Sequence, residues 1–177
     1  AGVLAEQMGR NLTASPFFST SVLGATAIQQ YGTKKQKEEN LAAISSGEKL
    51  FALAVDEGPR HNPSRITFSA KPAGNGFVLS GTKTFVADGH VADKLIIAAR
   101  TSGEDGDENG ITLFLVDADA PEITRDQTPM VDSRNAADIS VDGLEVTGDD
   151  ILGELHGGFA ALEGILSAGR AVLSAEM

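Results

Sequence analysis

The chain has 177 residues, no Cys and a formal net charge of −11. That length supports one sizeable core or two small ones, and the lack of Cys rules out disulfides, thiolate ligands and a cysteine nucleophile. The acidic balance disfavours nucleic acid, whose phosphates need clustered Lys and Arg.

No apolar run approaches the ~20 residues of a membrane span. No signal-peptide pattern opens the chain, so a cytoplasmic location is expected. The chain starts at Ala1 inside a helical pattern and stops at Met177 inside another, without a stop signal. It therefore reads as a fragment of a longer protein.

Three helices are expected first. Val3, Leu4, Met8 and Leu12 make a partial apolar stripe, which Ser15-Pro16 breaks. A second helix is predicted from about Phe18 to Tyr31, ending at Gly32. Thr33-Lys34-Lys35-Gln36 has the form of a capping box and opens a third helix that stops near Gly47. Residues 49–147 then read as a β-domain, with strands predicted at 50–55, 65–70, 76–86, 94–100, 111–117, 123–127 and 139–146. Gly74-Asn75-Gly76 is a hairpin signal between two of them. From Gly158 the helical period returns, with Gly164 and Gly169 as interruptions. The expected fold class is α+β: N-terminal helices, a small antiparallel β-barrel or sandwich, then the start of a C-terminal helix.

Few segments carry chemistry by themselves. Asp105-Gly106-Asp107-Glu108-Asn109-Gly110 looks like the start of an EF-hand loop, but Val116 stands where the twelfth-position Glu is needed. No metal-ligand spacing, Ser-His-Asp arrangement or phosphate-cradling Gly loop is present, so no metal is expected. His61 and His90 each sit in a polar turn; such a His is usually solvated, although both could flank a ligand.

Three stretches share a pattern. Ser80-Gly81-Thr82-Lys83-Thr84-Phe85-Val86-Ala87-Asp88-Gly89, followed by Ala92-Asp93, reads as strand, polar turn and strand. Gly47-Glu48 precedes Leu53-Ala54-Val55-Asp56-Glu57-Gly58-Pro59-Arg60-His61-Asn62-Pro63. Ala137 to Val146 precedes Asp150-Ile151-Leu152-Gly153 and Gly157-Gly158-Phe159, with Arg170 beyond. Together they resemble the acyl-CoA dehydrogenase family: its G-x-K-x-W-I-T-N-G segment, its A-L-T-E-P-x-A-G-S-D segment and its N-x-L-G…G-x-G-F segment. Phe85 stands where the family has Trp, Ala87 and Asp56 where it has Thr, Asp88 where it has Asn, and His61-Asn62-Pro63 where it has Gly-Ser-Asp.

The resemblance implies the end of an N-terminal helical domain at 1–48, a flavin-side middle β-domain at 49–147 and the start of a C-terminal helical domain at 148–177. It implies FAD, with Val55, Asp56, Asn62, Phe85, Val86 and Ala87 on the cofactor side. An anionic Asp56 is a poorer partner for flavin carbonyl oxygens, which accept rather than donate. Ala87 offers no side-chain hydrogen bond. Read as residues only, 55–63 is equally a solvated turn, and a strand aromatic such as Phe85 is usually core.

The implied reaction is α,β-dehydrogenation of an acyl thioester: a carboxylate base takes the α-proton and flavin accepts the β-hydrogen as hydride. The family's base lies on its C-terminal domain, so no catalytic residue is assigned and the base is expected beyond residue 177. Glu163 and Glu176 carry no motif that identifies either as that base. The implied partners are acyl-CoA, or a relative such as an acyl-carrier thioester, an electron-transfer flavoprotein, and further subunits in a homo- or hetero-oligomer, a tetramer by resemblance. The rival expectation is a non-catalytic structural subunit of a dehydrogenase complex that has lost its flavin contacts.

Overall fold

The computed structural model describes residues 1–131 and 134–177. The N-terminal layer holds α1 (Gly2–Arg10), a π-helical segment (Phe17–Gly24) that runs directly into α2 (Ala25–Tyr31), and α3 (Lys34–Ser46). The sequence predicts one regular helix over the second of these; its first half is wound wider. Thr33 caps α3 as predicted: its hydroxyl accepts from the Gln36 amide while the Gln36 side chain accepts from the Thr33 amide. Gly47 closes the helix with φ of 74°, a left-handed conformation that glycine adopts without a Cβ penalty.

Eight strands follow: β1 (Phe51–Ala54), β2 (Ser69–Ala73), β3 (Gly76–Ala87), β4 (Lys94–Arg100), β5 (Ile111–Asp117), β6 (Ile123–Pro129), β7 (Asn135–Thr147) and β8 (Ile151–Leu152). They form one sheet in the order β6-β7-β3-β2-β4-β5-β8, with β1 also on β4. The end strands β6 and β8 do not pair, so the sheet is not closed into a barrel. It is also not wholly antiparallel, because β1 and β2 both run parallel to β4. The β-rich α+β expectation holds; the closed barrel does not. Closure would need β6 hydrogen-bonded to β8, but β8 has only two residues and lies along β5. The 65–70 strand begins later than expected, at Ser69, because the chain before it turns to wrap Glu57.

The core lies where β4 and β5 are covered on both faces. Ile96, Ile97, Leu113 and Phe114 are fully buried, and their near-continuous apolar runs suit a strand packed on both sides. The π-helical segment lies against β1. Gly24 is there because a Cβ would come within 2.7 Å of the Phe51 Cβ. The free edge of β1 is closed by a side chain: the Thr20 hydroxyl accepts from the Phe51 amide at 2.9 Å and donates to its carbonyl at 3.3 Å. The last helix, α4 (Gly158–Glu176), is continuous through Gly164 and Gly169, which let Tyr31 and Leu23 pack against its backbone. Among the described residues no helix is long and apolar enough to cross a membrane.

Candidate functional site

Two backbone features meet where β1 runs out and β3 bends. Past Ala54 the chain leaves the parallel pairing with β4, yet it stays straight as far as Glu57. The Val55 carbonyl accepts from Lys83 Nζ at 2.9 Å, and the Asp56 carbonyl accepts from the Thr84 amide at 2.7 Å. Gly58 is held in turn by the Thr84 hydroxyl at 3.3 Å. The end of the β1 segment is thus fastened to β3 although the two are not strand partners.

Lys83 makes this junction. Its side chain is fully buried, its ammonium lies 2.7 Å from Glu57 Oε1, and it stands over the Phe68 ring at 5.2 Å from the centroid. Burial pushes its pKa down to about 8, against the pull of the Glu57 and Asp56 carboxylates and with a further push from Arg100. The Glu57 carboxylate also accepts from the Thr67 amide and hydroxyl and the Phe68 amide. Burial works to raise the pKa of Glu57; Lys83 and these donors outweigh it, and the net shift is downward.

The second feature is a bulge. Lys83 pairs with Ile139 and Val86 with Ala137, so Thr84 and Phe85 together face the single residue Asp138. Both extra amides find partners outside the ladder: Thr84 N–H on the Asp56 carbonyl, and Phe85 N–H on Asp138 Oδ1 at 3.1 Å. Phe85 takes φ of 53°, which for a bulky aromatic costs on the order of 1–3 kcal/mol. The bend turns its ring outward, 59% exposed, on a protein whose other phenylalanines are half-buried or buried. Three residues further on, Asp88 is also left-handed (φ 56°), and its carboxylate accepts from the Ser19 hydroxyl at 2.5 Å.

The expected cofactor-side residues thus fall on two adjoining segments. Val55 and Val86 are buried, at 5% and 2% exposure. Phe85 and Ala87 are exposed. The Asp56 carboxylate turns to its own loop: His61 Nδ1 lies 2.9 Å from Oδ2 and the Asn62 amide donates to Oδ1 at 3.2 Å. The Asn62 side chain accepts from the Ser64 hydroxyl. Beside this turn is a cavity of about 540 Å³ lined by Gly58, Arg60, Asn62, Arg65 and Thr67, among others. Arg65 is paired with Asp105 at 3.0 Å, whereas Arg60 has no ion pair among the described residues. Sequence reasoning overlooked Asp138 and Ser19. Neither has a local signal, because each reaches the site only through strand register or a contact 69 residues long.

Residues 56–143 match the family model of the acyl-CoA dehydrogenase middle domain. A curated relative, the 3-(aryl)acrylate reductase of Clostridium sporogenes (strain ATCC 15579), is 33% identical over 161 residues, which are 88% of this chain and 42% of that protein. The mitochondrial very long-chain specific acyl-CoA dehydrogenase of Bos taurus is 29% identical over 165 residues, 88% of this chain and 25% of its own. Butyryl-CoA dehydrogenase from Megasphaera elsdenii superposes with a TM-score of 0.88 at 25% identity, over 97% of this chain and 46% of that one. The chain spans less than half the length of each of these proteins. On sequence and fold together, the chain belongs to the acyl-CoA dehydrogenase family, and 56–143 is its middle-domain segment.

Proposed function

We propose that the full-length protein is a flavin-dependent oxidoreductase that transfers hydrogen across the α,β-bond of an acyl thioester, with FAD as the acceptor. The domains are read as 1–48, 49–147 and 148–177: the end of a helical domain, the flavin-side β-domain and the start of a second helical domain. The observation that carries the reading is the fastened bulge, which presents the Phe85 ring beside the end of the Val55–Glu57 segment.

The residues present fit FAD. A flat ring system needs an exposed apolar face on a rigid support, and Phe85 supplies one. A pyrophosphate needs cationic or N–H donors in a roomy cavity; Arg60 and Asn62 line one next to the same turn, and its two carboxylates, Glu57 and Asp105, are paired with Lys83 and Arg65. FAD, when bound, supplies the two-electron acceptor. The protein's part is to hold and shield it: Phe85 covers ring surface, Val55 and Val86 shape the backbone edge, and Lys83 with Glu57 keeps the two segments in register. The acidic residues of α4 are committed elsewhere, Glu163 to Arg170 and Glu176 to Arg134. By family resemblance, the α-proton base is assigned to a carboxylate outside these 177 residues. An acyl-CoA substrate, an electron-transfer flavoprotein and assembly into an oligomer belong to the same reading. The name of the Clostridium relative describes reduction of an acrylate, the reverse of the same bond change, so direction is part of the test.

A structural subunit is the second reading, favoured by Asp56. Its carboxylate is spent on His61 and Asn62 and offers no donor to a flavin carbonyl, and Ala87 offers none either. A visible spectrum of the full-length protein separates the two. A flavin band that bleaches with acyl-CoA, or returns with an aryl-acryloyl thioester, supports the enzyme. A colourless protein that takes up no added FAD supports the subunit.

A further inference from the structure

We infer that Asp138 is a positioning residue for the Phe85 ring, and that Ser19 secures the far end of the same turn. The inference rests on the flavin reading above.

A bulge leaves a strand with surplus amides, and an aromatic with positive φ reverts to the extended region unless something holds it. Here every release is blocked. Asp138 Oδ1 takes the Phe85 amide at 3.1 Å, and the Asp56 carbonyl takes the Thr84 amide at 2.7 Å. The Val86–Ala87 end pairs normally with Ala136 and Ala137. Asp88 is tied by Ser19, which reaches across from the π-helical segment, and its amide donates to the Asn135 carbonyl at 3.0 Å. Ser19 lies in the π-helical segment, a distortion often found at functional sites.

Asp138 holds its post against an electrostatic penalty. It stands directly opposite Asp126 of β6 in the strand register, and facing like charges disfavour a pair. A carboxylate there is useful chiefly as an acceptor for an amide the ladder cannot satisfy. The result is an exposed ring carried on a backbone that is held at every amide, which is how a stacking surface for a flat heteroaromatic group is built at low entropic cost.

The test uses the full-length protein loaded with FAD. Asp138→Ala is expected to weaken FAD about tenfold and to shift the flavin visible band as Phe85→Ala does, with little change in melting temperature. Asp138→Asn keeps the acceptor oxygen and is expected to stay within about twofold of the parent. The double variant Asp138→Ala/Phe85→Ala is expected to bind no more weakly than Phe85→Ala alone, because a positioning residue has nothing left to position. The inference is overturned if Asp138→Ala binds FAD like the parent, if the two losses multiply to about a hundredfold, if Asp138→Asn behaves like Asp138→Ala, or if Asp138→Ala unfolds. A parent protein that binds no FAD overturns the flavin reading itself, and this inference with it.

Discussion

Lys83 and Glu57 form an ion pair of 2.7 Å whose ammonium is entirely shut away from solvent, while the carboxylate keeps a small exposed edge. Only one partner of the pair therefore carries the full cost of desolvation, and this sets how the protein should respond to pH. In the folded state Lys83 has a pKa of about 8, below its ordinary 10.5. Between those values the unfolded chain holds more protons than the native one, so stability rises with pH. The gain is on the order of 3 kcal/mol if the whole shift is expressed. Glu57 is lowered, so its contribution is present above its ordinary 4.5 and is lost as pH falls through its folded value. Urea unfolding midpoints measured from pH 3 to 10.5 should show both limbs, and Lys83→Met should remove the alkaline one.

Glu57→Gln tests the same pair from its other side. It leaves a buried ammonium with amide and carbonyl partners only, and removing one member of a buried pair typically costs about 3–5 kcal/mol. Glu57 holds the Lys83 pKa up, so the variant sheds that proton below pH 8; the loss should be largest in mildly acid solution above pH 4.5 and shrink as pH rises towards 8. A loss independent of pH would assign the cost to Thr67 and Phe68, whose hydrogen bonds to Glu57 are also disturbed.

Phe85→Gly should separate stability from binding. Glycine adopts the observed φ of 53° without a Cβ penalty, so the variant should be as stable as the parent or more stable, by up to about 1 kcal/mol. FAD affinity should nevertheless fall about tenfold, the scale of one lost ring contact. Calorimetry with a flavin titration on the same sample measures both.

Asp56→Thr exchanges an acceptor for a hydroxyl that can donate to a carbonyl oxygen. FAD affinity is expected to rise several-fold. The turn at 60–63 loses its anchor, because His61 Nδ1 and the Asn62 amide both bond to the Asp56 carboxylate. Amide hydrogen exchange at His61 and Asn62 should accelerate in the variant.

Gly81→Ala should be among the most damaging single changes in β3. The glycine has φ of 146°, and an added Cβ would sit 2.7 Å from the Phe68 ring. Overpacking of this kind costs about 1–3 kcal/mol.

The amino-acid sequence alone determined the element types wherever a signal is local. The Thr33 capping box, the hairpin between β2 and β3 with Gly74 at φ of 56°, and the strands 94–100 and 111–117 all follow from spacing over a few residues. The family pattern around Lys83 and Glu57 was legible for the same reason. Tertiary structure decided the rest. Whether the sheet closes depends on β6 meeting β8, a pairing between strands with no mutual sequence signal, and they do not meet. That Phe85 faces outward rather than joining the core depends on a bulge, which exists only relative to the register of β7. A single extra residue reverses which side chains a strand buries, and that count can be made only when both strands are in place. The same holds for Asp138 and Ser19, whose roles arise from contacts 53 and 69 residues long.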